Sequence, residues 1–143
     1  MTKKENSHAL SNAAGWLSTI VEAVAAMDAL EQGEETAEFN GETFTDSETV
    51  LERIHPMPLS VEVRAGWYTP GYPQSTKPDE FRILLSTGGP ALQLVGDLDE
   101  YGQPLNPRLQ WQDWGTPWTD YYNTNEEEDE ALQAFVGCFY FGE

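Results

Sequence analysis

Leu59-Ser60-Val61-Glu62-Val63-Arg64 alternates apolar and polar side chains without a break, and that period of two is what a half-buried β-strand requires. Trp67 and Tyr68 extend the same pattern. Downstream, Pro70, Gly71, Pro73 and Pro78 mark a loop, and Glu80 to Thr87 reads as a second strand. Gly88-Gly89-Pro90 then turns into a third, Ala91 to Leu98, because adjacent glycines supply the backbone freedom a tight turn needs. Tyr101-Gly102-Gln103-Pro104 is a further turn, and Arg108 to Trp114 is the fourth strand, with Leu109, Trp111 and Asp113 on one face. Consecutive strands joined by short turns predict a four-stranded antiparallel meander.

On the N-terminal side the period changes. Leu17, Ile20, Val21, Val24, Met27 and Leu30 keep helical spacing within Leu10 to Gln32, and Gly33 stands ready as a stop. Glu34 to Phe44 is acidic, and its Asn40-Gly41 pair between Phe39 and Phe44 permits a tight turn with two hydrophobic anchors. Thr45 and Glu48 have capping-box spacing ahead of Val50, Leu51 and Ile54, and Pro56 and Pro58 close that helix. At the other end, Asn125 caps a helix from Glu126 to about Phe139, whose first turn holds Glu126, Glu127, Glu128 and Asp129. The reading is therefore α+β: residues 1–9 a flexible N-terminus and residues 10–143 one domain. Within it, 10–57 is an acidic helical part and 58–143 a sheet with a C-terminal helix packed on it.

Charge is the strongest compositional signal. The 143 residues hold 25 Asp and Glu against 7 Lys and Arg, a formal net charge of -18. Residues 1–50 carry ten acids and two lysines, 51–100 seven acids and four bases, and 101–143 eight acids and one arginine. Charge of this size opposes folding and favours association with positively charged partners. It does not imply disorder, because five Trp, six Tyr and six Phe provide a core. Cys138 is the sole cysteine, which excludes an intramolecular disulfide and a Cys-rich zinc cluster. The N-terminal stretch offers no convincing secretory cleavage site and no apolar run near bilayer length, so the expectation is a soluble, cytoplasmic chain with no membrane partner.

Four acidic clusters are candidate partner-binding residues: Glu31, Glu34, Glu35 and Glu38; Glu42, Asp46 and Glu48; Asp97, Asp99 and Glu100; and Glu126, Glu127, Glu128, Asp129 and Glu130. Carboxylates three or four apart on a helix lie about 5–6 Å from one another, while B-DNA presents one negative charge per about 1.7 Å of axis. Such a helix imitates part of a phosphate row and competes for a basic groove. The plain alternative is a solvated surface, since acidic helix starts are common, yet ordinary surfaces interleave both signs. The segment Trp111 to Tyr122 is dense in aromatics; most should fill the core, with Trp118 and Tyr121 the rings expected at the surface. Direct nucleic-acid binding is disfavoured, because Arg53, Arg64, Lys77, Arg82 and Arg108 are outnumbered. Arg64, Arg82 and Arg108 instead suit cross-strand pairing with Glu62, Glu80 or Asp113. His8, His55 and Cys138 lack neighbours that would make a dyad, and Asp97 with Asp99 is only a weak cation site beside a turn. No catalytic residue, metal or cofactor is expected.

Several segments carry a resemblance: Pro58 to Tyr68 (PLSVEVRAGWY), Thr87 to Ala91 (TGGPA), Gly96 to Pro104 (GDLDEYGQP), Gln112 to Trp118 (QDWGTPW) and Phe139 to Glu143 (FYFGE). Together they resemble an uncharacterised family of small bacterial proteins carried by prophages and plasmids. The resemblance covers roughly residues 55–143 and implies an accessory protein of a mobile element, without implying any catalytic residue. Charge and resemblance together point to an inhibitor of the anti-CRISPR or antirestriction type. Its partner would be a basic nucleic-acid-binding surface of a host protein complex. The competing expectations are an acidic adaptor without mimicry, and a small enzyme or ligand-binding domain built on residues 111–122.

Overall fold

The computed structural model describes residues 3–67, 70–71, 78–87, 90–113, 115–122 and 124–142, with side chains from His8 onward. The architecture is α+β: a helical layer covers one face of an antiparallel sheet, and a two-stranded hairpin packs beside it. Helix α1 spans Lys3–Glu31, beginning seven residues before the position its large apolar residues suggest. The earlier start follows alanine: Ala9 and Ala13 are fully buried and continue the seam of Leu17, Ile20, Ala23 and Val24. By length and composition alone His8–Glu31 could cross a membrane, contrary to the expectation that no segment approaches that length. Its apolar seam is instead occupied by the packing of α1 on the sheet and on the last helix.

The hairpin β1 (Ala37–Phe39) and β2 (Glu42–Phe44) turns on Asn40 and Gly41. Both adopt positive φ, 53° and 80°, the conformation a two-residue hairpin loop demands. Phe39 and Phe44 are buried with ring centroids 6.4 Å apart. Helix α2 (Ser47–Ile54) is capped by Asp46, whose side chain accepts from the Thr49 N–H; the capping box expected from Thr45 and Glu48 is displaced by one residue.

The main sheet runs β3 (Ser60–Arg64), β4 (Glu80–Ser86), β5 (Ala91–Leu98), β6 (Pro104–Gln112) and β7 (Thr119–Asp120), in that spatial order with every neighbour antiparallel. The predicted meander thus gains a fifth strand. β7 has only two residues, too few for a period, and is held by the Gln110 side-chain amide donating to Asp120 at 2.8 Å. Trp67 lies past the end of β3, and the predicted contributions of Tyr68, Gly88, Gly89 and Trp114 fall outside the described residues.

Helix α3 (Glu126–Val136) packs on α1 and β6, and α1 packs on β5 and β6. Under them lie Ile83, Leu92, Leu94, Leu109, Leu132, Phe135 and Val136, each at most 2% exposed. Burial of each such side chain contributes roughly 1.5–3 kcal/mol. Gly96 is required where the core closes: a Cβ there would come within 2.6 Å of the Phe81 ring, which itself stacks at 5.0 Å on Phe141. The helices do not extend over β3. Its residues are exposed on both faces apart from half-buried Ser60, so the alternation of Leu59 to Arg64 marks a strand but not a half-buried one.

Candidate functional site

Helix α3 begins with a complete capping box. The Asn125 Oδ1 accepts from the Glu128 N–H at 2.8 Å, and the Glu128 carboxylate accepts from the Asn125 N–H at 2.9 Å. Glu128 is therefore occupied by the fold. Glu126, Glu127, Asp129 and Glu130 remain exposed, opposite the buried stripe of Ala131, Leu132, Phe135 and Val136. Negative charge here is favoured by the positive end of the helix dipole.

The end of α1 is the reverse case. Gly33, at φ +104°, terminates the helix: its N–H donates to Leu30 at 3.2 Å and the Glu34 N–H donates to Ala29 at 3.0 Å, the paired bonds of a left-handed glycine cap. No basic residue occupies the last turn. Asp28, Glu31, Glu34 and Glu35 are exposed around this end, where the dipole is negative and cations are the stabilising choice. The ends of the other two helices meet each other. His55, the C-cap of α2, donates from Nε2 to the Cys138 carbonyl at 2.9 Å, just past α3. Burial and then the Glu31 charge push the Cys138 thiol up to about 11, which brings Glu31 into electrostatic contact with the end of α3. The C-terminal ends of α2 and α3 thus meet, and the Glu31 charge reaches them from an α1 end whose carboxylates form no ion pair among the described residues.

The turn after β5 meets the segment that follows α3: Tyr101, Gly102 and Gln103 share a concavity with Gly137, Phe139 and Tyr140. Within that turn Asp99 is a structural residue, accepting from the Tyr101 and Gln103 N–H groups at 2.9 Å each. Glu100 is exposed on the turn, and Asp97 is exposed on the sheet. Among the described residues, no group of three His, Cys, Asp or Glu side chains is placed to hold a metal ion. Glu126 to Glu130 are not brought to the corner. They sit at the opposite end of α3, about 16 Å along an 11-residue helix.

The basic side chains lie elsewhere. Arg64 meets Glu80 at 3.0 Å and Arg82 meets Glu62 at 2.8 Å on the uncovered face of the sheet, and Arg53 meets Glu42 at 3.2 Å. The Glu80 hydrogen bond and charge raise the Arg64 pKa. Arg108 joins Arg82 across Val95 on the same face. Among the described residues, none of Glu31, Glu34, Glu35, Glu38, Asp97, Asp99, Glu100 or Glu126 to Glu130 forms an ion pair. Among the described residues, two arginines neutralise acids of the sheet, and of the four acidic clusters only the second is touched, through Glu42.

The aromatic expectation changes. Tyr121 is half-buried against the core and Trp118 is half-buried, whereas Tyr122 is 81% exposed and Trp67 fully exposed. Both exposed rings lie outside any helix or strand, and no spacing in the sequence announces it. Asp113 is buried at the start of a turn closed by Thr116, whose hydroxyl accepts from the Asp113 N–H and donates to its carbonyl. A concavity of about 370 Å³ on the open sheet face is lined by Arg64, Arg82, Arg108, Glu62, Glu80 and Gln93 among others; Asp113, Trp118 and Tyr121 do not line it. No protein-family model, curated protein or solved structure matches the chain.

Proposed function

We propose that the protein is an inhibitor that binds the basic, nucleic-acid-binding surface of a host protein complex, presenting carboxylates where that complex expects phosphates. The observation that carries the reading is the corner at the end of α1. Asp28, Glu31, Glu34 and Glu35 are concentrated there without ion pairs among the described residues, at a position where helix dipoles make negative charge costly to the fold. Charge kept against stability is explained by a partner that needs it. The resemblance to small prophage- and plasmid-borne proteins supports a target among defence complexes, of the CRISPR or restriction kind. Glu126, Glu127, Asp129 and Glu130 form a second patch, and Glu38 on the hairpin, Asp97 on the open face of the sheet and Glu100 on the turn after β5 are further exposed acids.

Affinity capture from a bacterial lysate, with and without nuclease treatment, tests this. Retention of a nucleic-acid-binding complex should weaken steeply between about 50 and 500 mM salt and be competed by DNA or RNA. Glu31→Lys/Glu34→Lys/Glu35→Lys should abolish it. A folded triple variant that retains the same complex with the same salt resistance would leave acidity as a solubility device, and the protein as an adaptor.

A further inference from the structure

We propose that β3 is a self-association edge, through which two copies of the chain pair antiparallel about Val63 into one continuous sheet. β3 is the terminal strand of the five-stranded order. Val61 and Val63 sit opposite Ile83 and Phe81, so they continue the core face of the sheet, yet they are 38% and 41% exposed because the helices stop short of this strand. Leu59, at 59%, and Trp67, fully exposed, extend the strip at both ends. An edge with an open ladder and an apolar face is a template for another strand.

Charge fixes the occupant and the register. Between Leu59 and Trp67 the only charged residues are Glu62 and Arg64, of opposite sign and two positions apart. Joining two copies with their core faces on the same side requires residues of the same face to stand opposite each other. A dyad at Glu62 or Arg64 would set like charges face to face, and one at Val61 would leave Arg64 opposite Pro58. A dyad at Val63 sets Glu62 against Arg64 of the partner subunit twice over. It also sets Val61 against the partner's Ala65 and Leu59 against the partner's Trp67, so the strip becomes a shared apolar surface. Opposite charges and apolar pairs directly across strands are the stabilising combinations.

Self-association and partner binding respond to salt with opposite sign, which keeps the two readings separable. Each copy carries -18, so screening strengthens the pairing of two copies while it weakens the grip of acids on a basic surface. Sedimentation equilibrium of the full chain at high micromolar concentration should give twice 16.0 kDa at about 500 mM salt and a smaller average mass at about 50 mM. Val63→Lys should return the chain to 16.0 kDa with an unchanged circular dichroism spectrum. In a Cys138→Ser background, Val63→Cys should crosslink to itself under mild oxidation. Val61→Cys should crosslink only when mixed with Ala65→Cys. A mass of 16.0 kDa at every salt concentration would overturn the proposal, as would a Val61→Cys chain that crosslinks with itself as readily as Val63→Cys. A monomer that captures an added peptide strand along β3 would assign the edge to a different partner.

Discussion

The start of α3 and the end of α1 carry similar clusters of exposed carboxylates, and the helix dipole treats them oppositely. At α3 the charge lies where unsatisfied N–H groups attract it, and Glu128 even completes the cap. Folding alone accounts for that cluster. At α1 the charge lies beside outward carbonyls, and the Glu31 charge reaches Cys138 just past the end of α3. Folding disfavours it. The difference separates acidity that serves the fold from acidity that must be explained by something outside it.

Both clusters owe their positions to one core, and the largest expected effect comes from breaking it. Phe135 is fully buried and touches Phe139 at 5.2 Å between ring centroids. Phe135→Ala should cost about 3–5 kcal/mol in urea unfolding. Deleting residues 125–143 should abolish the cooperative transition, because the sheet loses its cover of Leu132, Phe135 and Val136. A stable truncated product would mean that α3 is only attached to the domain, and the comparison of its two ends would lose its basis.

Charge reversal sharpens the comparison directly. Glu31→Lys/Glu34→Lys/Glu35→Lys and Glu126→Lys/Glu127→Lys/Glu130→Lys each replace three acids by three lysines, so both variants relieve the same amount of net charge. Any difference between them reports position. The α1 variant should be more stable than the α3 variant by about 1–2 kcal/mol in low-salt thermal or urea unfolding, with the gap closing as salt rises. Equal stabilities would remove the argument that the corner's charge is held against the fold.

The caps test the same two ends with smaller effects. Asn125→Ala removes the acceptor for the Glu128 N–H and should cost about 1 kcal/mol. Gly33→Ala forces a Cβ into φ +104° and should cost about 1–2 kcal/mol although nothing lies within 4 Å of the added carbon. Crowding by the surrounding fold is thereby excluded as the cause, leaving the local backbone conformation. Melting curves that show no loss for Gly33→Ala would contradict the left-handed cap.

Much of this layout was readable from periodicity and turn chemistry. Asn40-Gly41 between two phenylalanines, Asn125 ahead of four acids, and Ala91 to Leu98 all behave as their local pattern requires, because the interactions that decide them lie within a few residues. Three features were not readable, for one shared reason: each depends on what another element covers. Ala9 and Ala13 extend α1 because a partner approaches closely enough to bury a methyl group. Val61 and Val63 alternate like core residues but stand beyond the helices. The approach of the end of α3 to Glu31 requires the tertiary fold, whereas the cross-strand pairs of Arg64 with Glu80 and Arg82 with Glu62 are those the sequence predicts.

The smallest effect probes the corner through Cys138. Its thiol is pushed up to about 11, first by burial and second by Glu31, above the usual thiol value near 8.5. A raised folded-state pKa means that the folded chain holds its proton longer than the unfolded chain. Stability from this group is therefore complete below pH about 8.5 and declines as pH rises toward 11. At pH 8.5 alkylation of Cys138 in the native protein should be far slower than in urea, since the thiolate is the nucleophile. Glu31→Gln should speed the native reaction modestly, because only the second cause is removed, whereas Glu127→Gln at the far end of α3 should leave it unchanged. Equal rates for the two variants would show that Glu31 does not reach the end of α3, and the corner would dissolve into separate surface charges.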